Sequence, residues 1–247
     1  MRTSKSIFAA AFVAVTIPPG FASALSADEV LARWQTDAAQ VTSLECVLEM
    51  HARNRGAYGR LLQEFTHRRH LWCDKVHRRI RDQRENGPED LWDGTMRKWS
   101  RRQGARVTQE DLPEMIGSVE ALWPDPAYAV FPRLLIDPYE WELIADTQRP
   151  VRLLGRVRGA VRDQLGEARV ELDFDLVRGV PQEVRTYGRG GDLEERVRFK
   201  RFKKTGDHWL PEIIKIRRNR QRNVEDWDIR YTIVSVNLSD SAAWSLR

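Results

Sequence analysis

Between Val170 and Leu238, apolar and charged residues trade places at almost every step. Val170, Leu172 and Phe174 alternate with Glu171, Asp173 and Asp175, and Leu193, Val197 and Phe199 alternate with Glu194, Arg196, Arg198 and Lys200. Trp227, Ile229, Tyr231 and Ile233 do the same with Asp228, Arg230 and Thr232. Neighbouring side chains on a strand point to opposite faces, so each run makes a strand with one apolar side and one wet side. Turn residues at Arg178-Gly179, Gly188 to Gly191 and Gly206-Asp207 separate the runs. The pattern predicts an antiparallel sheet with a single apolar face, and such a face must be covered.

The chain supplies a cover ahead of the strands. Ser26 and Glu29 have the spacing of a capping box, Leu25 is placed to staple onto Val30, and Asp28 and Glu29 favour the positive end of a helix. Leu31, Trp34, Ala38 and Val41 follow at three- and four-residue steps, which gives that helix one apolar face. Before it, Arg2 and Lys5 precede the uncharged apolar run from Ile7 to Ile17 and the small residues Ala22-Ser23-Ala24. This order reads as a signal peptide over residues 1–24, leaving one domain over 25–247. The apolar run is shorter than the ~20 residues that a bilayer span needs, and no later segment is long and apolar enough. A periplasmic or otherwise exported protein, with no transmembrane segment in the mature chain, is the expectation.

A first set of strands is expected from Leu44 to about Val107, with turns at Asn54-Arg55-Gly56, Asn86-Gly87-Pro88 and Asp93-Gly94. A meander folded about Gly56 and again about Arg69 would put Cys46 and Cys73 two strands apart. That is about 10 Å at ordinary strand spacing, beyond disulfide reach, so two separate thiols are expected. Prolines 113, 124, 126 and 132 then interrupt the strand pattern. Asp125-Pro126 reads as a helix start, with Tyr128, Phe131, Leu134 and Leu135 at helical spacing after it. Short helices inserted between two sets of strands would cover the sheet. Strands resume at Trp141–Ala145 and Val151–Val157.

Motifs for chemistry are sparse. His67 and His70 fall on opposite faces of a strand, which is poor metal-ligand geometry. The pairs Asp173/Asp175 and Asp226/Asp228 occupy the wet positions of alternating strands. The sequence contains no Gly-x-Ser-x-Gly, His-Glu-x-x-His or phosphate-cradling glycine loop. No catalytic residue, metal or cofactor is therefore expected. The formal charge of +5, or +3 once Arg2 and Lys5 are removed, lies largely on outward strand positions, and export argues against nucleic acid. The aromatic residues Trp72, Trp92, Trp99, Phe131, Phe174, Phe199, Trp209 and Trp227 fall in or beside the strands and the insertion, and they are the candidate lining of an apolar cavity.

Three phrases carry a resemblance. Leu91-Trp92-Asp93-Gly94 running to Trp99 is similar to a strand, Asp-Gly, strand hairpin. Phe174-Asp175-Leu176-Val177-Arg178-Gly179-Val180-Pro181 is similar to an apolar-Asp-x-x-x-Gly-apolar-Pro connection. Gly206-Asp207-His208-Trp209-Leu210-Pro211-Glu212-Ile213 is similar to Gly-x-x-Trp-Leu-Pro-x-x-Ile at a strand start, and Val234 to Asn237 fits the final strand. The chain resembles the superfamily of bacterial periplasmic lipoprotein carriers and lipoprotein-sorting proteins (LolA-like, LolB-like and RseB-like) as a divergent member. The resemblance implies an α+β fold: a strongly curved antiparallel sheet forming an unclosed barrel, with an N-terminal helix and short inserted helices on its concave face. It also implies a cavity for lipid or the acyl chains of a lipoprotein, and a role in lipid binding, transport or outer membrane lipoprotein sorting. No position matches the arginine that latches the lid in the carriers, so no functional residue is transferred. An envelope sensor or protein-interaction module on the same fold is the alternative, with a protein partner in the envelope. An exported hydrolase is the third reading, and it would require a charged residue in a cleft with a shifted pKa.

Overall fold

A computed structural model of the chain describes residues 25–92, 97–101, 108–111, 130–145, 150–159, 167–220 and 223–237. Helix α1 (Ala27–Ala39) leads into strands β1 (Ser43–Arg55), β2 (Leu61–Asp74), β3 (Arg79–Arg84), β4 (Glu89–Trp92), β5 (Arg97–Arg101) and β6 (Thr108–Asp111). The short helix α2 (Arg133–Ile136) then precedes β7 (Tyr139–Ala145), β8 (Val151–Val157), β9 (Glu167–Asp175), β10 (Val180–Gly188), β11 (Leu193–Thr205), β12 (His208–Arg220) and β13 (Asn223–Val236).

Among the described residues all 13 strands join one antiparallel sheet, ordered β6-β5-β4-β3-β2-β1-β13-β12-β11-β10-β9-β8-β7. Two meanders meet at a central seam where β1 pairs with β13, with Leu48 opposite Tyr231 and Met50 opposite Ile229. Thr42 and Asn237 fasten one end of the seam, the Asn237 Oδ1 accepting from the Thr42 backbone N–H at 2.8 Å and its hydroxyl at 3.0 Å. Strands β6 and β7, consecutive in sequence, lie at opposite edges. The sheet is therefore curved and unclosed, and the chain between Asp111 and Tyr139 must pass from one edge to the other.

The expected cap forms in full. The Ser26 Oγ accepts from the Glu29 backbone N–H at 3.2 Å, and the Glu29 carboxylate accepts from the Ser26 backbone N–H at 2.8 Å. Ala27, Val30, Leu31 and Trp34 of α1 are buried in one core with Leu44, Leu48, Leu172, Phe174, Val197, Phe199, Ile214 and Ile229, and Leu25 packs against it. The alternating run thus turns its apolar side towards the helix. Lost exposure at ~25 cal/mol per Å² of apolar surface is what holds α1 there.

Three expectations need correction. The chain does not turn at Arg69: β2 runs unbroken to Asp74, because extended Arg68-Arg69 keeps pairing with β1, and the turn comes at 75–78 with Arg78 at φ +55°. Leu44 therefore faces Cys73, and Cys46 faces Leu71. The two cysteines are diagonal neighbours on adjacent strands, not two strands apart. Diagonal pairs sit about 7–8 Å apart, and both thiols are free and buried. Burial, with Cys73 and Glu45 adding to it, pushes the Cys46 thiol far up, so it is protonated and unreactive. Second, Phe131 lies ahead of the helix: α2 begins after Pro132, which supplies a fixed φ at its start. Asp125, Pro126 and Tyr128 lie outside the described residues, as do the signal peptide and the Asp93-Gly94 turn. Third, the outward carboxylates are not all solvated. Asp173 is buried between Arg152 (2.8 Å) and Arg185 (3.0 Å), and Arg185 also donates to Glu171 and Glu183 at 3.1 and 2.7 Å.

Candidate functional site

One end of the sheet carries a cleft of about 240 Å³. Its floor is apolar: Trp34 of α1, Val41 just after it, Leu44 of β1, Val180 and Pro181 of β10, and Phe199 of β11. The β11–β12 hairpin forms the far wall with Phe202, Trp209 and Leu210. Within that wall Arg201 sits at φ +51°, and the two strands keep one register across it, with Lys200 opposite Ile213 and Phe202 opposite Pro211.

The near wall is the tight turn before β10. Asp175 holds it by accepting from the backbone N–H of Val177 at 2.9 Å and of Arg178 at 3.1 Å, and from Gln182 at 3.1 Å. Burial alone would raise the Asp175 carboxyl, but the Arg178, Gln182 and Val177 bonds outweigh it and hold the group below the ordinary carboxylate range. Gly179 sits at φ +71°, and a Cβ there would meet the Asp37 carboxylate at 2.2 Å. The left-handed backbone at this position is what favours glycine; the Asp37 carboxylate, a side-chain end, could swing aside.

Cations ring the cleft. Arg33 lies 4.0 Å from Asp37, Arg178 pairs with Asp175 at 2.8 Å, and Lys204 lies 3.7 Å from Asp207. The Arg178 guanidinium also sits 5.5 Å from the Trp209 ring and 5.7 Å from that of Phe202. Lys75, in the turn after β2, reaches beneath the end of α1, where its Nζ donates to the Ala38 carbonyl at 2.7 Å and lies 5.6 Å from the Phe131 ring. Burial pulls this ammonium down to about 8, with Cys73 acting in the opposite direction.

Of the eight aromatic residues that the sequence singles out, Phe199 and Trp209 line the cleft. Phe174 lies fully buried beneath it, its ring 6.1 Å from that of Trp34, and Phe131 stands beside it against Lys75. Trp92 is buried core at the other arm of the sheet, and Trp227 packs edge-on to Phe65 at 5.5 Å, near the opposite end of β1 from Leu44. Trp72 pairs across strands with Arg81, Arg81 with Leu91 and Leu91 with Trp99, so Trp72 and Trp99 share the outer face. There Trp72 is stacked on His70 at 3.8 Å and covered by Arg81 at 4.6 Å. Both indoles point away from the concave side. Sequence reasoning placed Trp34 in a helix stripe and passed over Lys75, Arg178 and Phe202. A lysine after a strand gives no local signal that it will reach under a helix.

The carboxylate pairs also have other occupations. Asp173 and Asp175 are engaged as described, and Asp228 accepts from Lys215 at 2.8 Å. His70 is bonded to Glu45 at 2.8 Å on the outer face, whereas His67 packs against Phe65 on the other. A second concavity, of about 400 Å³, lies on the outer face between Arg53, Arg196, Arg198, Lys215, Arg217, Asp226 and Asp228. It is larger but walled by charged side chains, most of them already paired.

No family model matches the sequence, and no curated protein matches it. Solved structures do. A LolA superfamily protein from Nitrosomonas europaea superposes with a TM-score of 0.53 at 13% identity, over 90% of this chain and 98% of that one. The chain has the LolA-superfamily fold. A domain from Vibrio parahaemolyticus, provisionally described as an outer membrane lipoprotein-sorting protein, gives a TM-score of 0.52 at 12% identity, over 87% of this chain and 95% of that one. This LolA-type sheet thus places an aromatic cleft under its first helix. Among the described residues no helix is long and apolar enough to cross a membrane.

Proposed function

We propose that this chain is an exported, non-catalytic binding protein that takes up a lipid, or an acyl chain of a lipoprotein, in the cleft beneath α1. One observation carries the reading: an apolar floor of Trp34, Val41, Leu44 and Phe199 opens between cationic rims on a LolA-type sheet. Burial of hydrocarbon there supplies ~0.8 kcal/mol per methylene, and the charged rim stays in water. The residues 1–24, read as a signal peptide, would deliver the protein to the periplasm as a single mature domain over 25–247. Reversible uptake and release of that cargo would make the protein a carrier.

Protein purified gently from the envelope and examined by native mass spectrometry should carry a mass that lipid extraction removes. An absence of bound lipid, together with no uptake of a fluorescent acyl probe, sinks the reading. A second reading rests on the outer concavity: Arg53, Arg196, Arg198, Lys215 and Arg217 outnumber Asp226 and Asp228 in its wall, which leaves a net basic surface, although most of these charges are paired, that an acidic envelope protein could meet. It predicts lipid-free protein and partner binding that weakens with salt.

A further inference from the structure

We propose that the cargo is a single-chain amphiphile with an anionic headgroup, and that Lys75 receives its charge. This rests on the lipid-binding reading above and narrows it. At about 240 Å³ the cleft falls below the ~300–1,000 Å³ of ordinary small-molecule sites, which leaves room for one chain and not for several side by side.

Charge selects the headgroup. Arg33, Arg178 and Lys204 at the rim each have a carboxylate within 4.0 Å. Lys75 differs from them. Among the described residues it forms no ion pair, and one bond to the Ala38 carbonyl uses one of its three donors. A half-buried ammonium among Leu44, Val130 and the Phe131 ring, without a counter-ion, is an expensive arrangement. The carbonyl end of α1 offsets part of this cost. An anion entering with its chain along the Trp34–Phe199 floor would complete it. A carboxylate and a phosphate monoester both satisfy this chemistry.

The competing explanation is that Lys75 only caps α1, and it predicts no headgroup preference. Quenching of Trp34 and Trp209 fluorescence can titrate palmitate, palmitoyl lysophosphatidate and the uncharged methyl palmitate into wild type, Lys75→Met and Lys75→Arg. Wild type should bind one or both anionic probes about tenfold tighter than the ester, the worth of one charge-assisted bond. The anion bound more tightly identifies carboxylate or phosphate as the natural headgroup. Lys75→Met should erase that preference and leave ester affinity unchanged, while Lys75→Arg should keep most of it. Equal binding of ester and anions by wild type overturns the proposal, as does equal weakening of all three probes in Lys75→Met. If no probe binds wild type, the ester included, the lipid-binding reading fails with it.

Discussion

On the arm running from β13 to β8 the middle of the concave face is hydrocarbon: Ile229, Ile214, Phe199, Val197, Val184, Leu172 and Leu153. On the arm from β2 to β5 the inward positions hold Arg69, Asp82, Arg84, Asp90 and Ser100 beside Leu71, Ile80 and Trp92. Asp82 and Asp90 are almost wholly buried. Arg69 binds both oxygens of Asp82, Arg84 lies 3.4 Å from Asp82 and 3.5 Å from Asp90, and the Ser100 hydroxyl donates to Asp90. The first arm has its ionic cluster outside, around Arg185. The second has one inside, and turns Trp72, Leu91 and Trp99 outward. Alternation fixes the period of a strand but not which of its faces turns inward. Where α1 lies on the sheet the inner face must be apolar; elsewhere it can be ionic, provided every charge is met.

The largest effect that separates the arms should come from Phe174→Ala, which removes a fully buried ring from beneath Trp34. A loss of about 3–5 kcal/mol in urea unfolding is expected. A loss near 1 kcal/mol would mean that this arm is not the main apolar core. On the other arm, Asp82→Ala should cost about 3 kcal/mol by leaving Arg69 without its carboxylate. The double variant Arg69→Met with Asp82→Leu should recover most of that loss. If the double variant is no better than the single one, the pair does more than neutralise itself.

Arg185→Met, in the outer cluster, should have the smallest effect, about 1–2 kcal/mol near neutral pH. It should also depend on pH. Burial raises the Asp173 and Glu183 carboxyls, but bonds from Arg185 and Arg152 to the first, and from Arg196 and Arg185 to the second, outweigh it and hold both below their ordinary values of 3.8 and 4.5. Depressed carboxyls stabilise the fold above their unfolded values, and that contribution is lost as pH falls through the folded ones. Wild type and variant should therefore converge in stability as pH falls below the ordinary values and through the depressed folded ones. A difference that persists there would show that Arg185 acts by packing rather than by charge.

What could be read from the sequence is what is settled locally. The Ser26–Glu29 box, the turns at Gly179 and Gly206 and the alternation of β9, β11 and β13 each need only a few neighbouring residues. The seam between β1 and β13 does not, and neither does the inward turn of Asp82. The cleft was legible in part for the same reason: Phe199 and Trp209 advertise themselves by type, whereas Trp34 and Lys75 reach its lining only when the end of α1 settles over Leu44 and the turn after β2. Trp72 and Trp99 were misplaced because a tryptophan on a strand looks alike on either face.

The β1–β13 seam has a consequence for the order of events during synthesis. Strand β1 is among the first to emerge, yet its partner ends at Val236, almost 200 residues later. Until then, one long hydrogen-bonding edge of the first meander is open, and pairing across the full length of the chain is slow because the loop must close first. A nascent chain of this kind carries an unpaired strand edge through most of its production, which invites pairing with other chains. A holding factor that shields β1 until β13 arrives would suit such a chain, and a truncation just before Asn223 should aggregate more readily than the full chain.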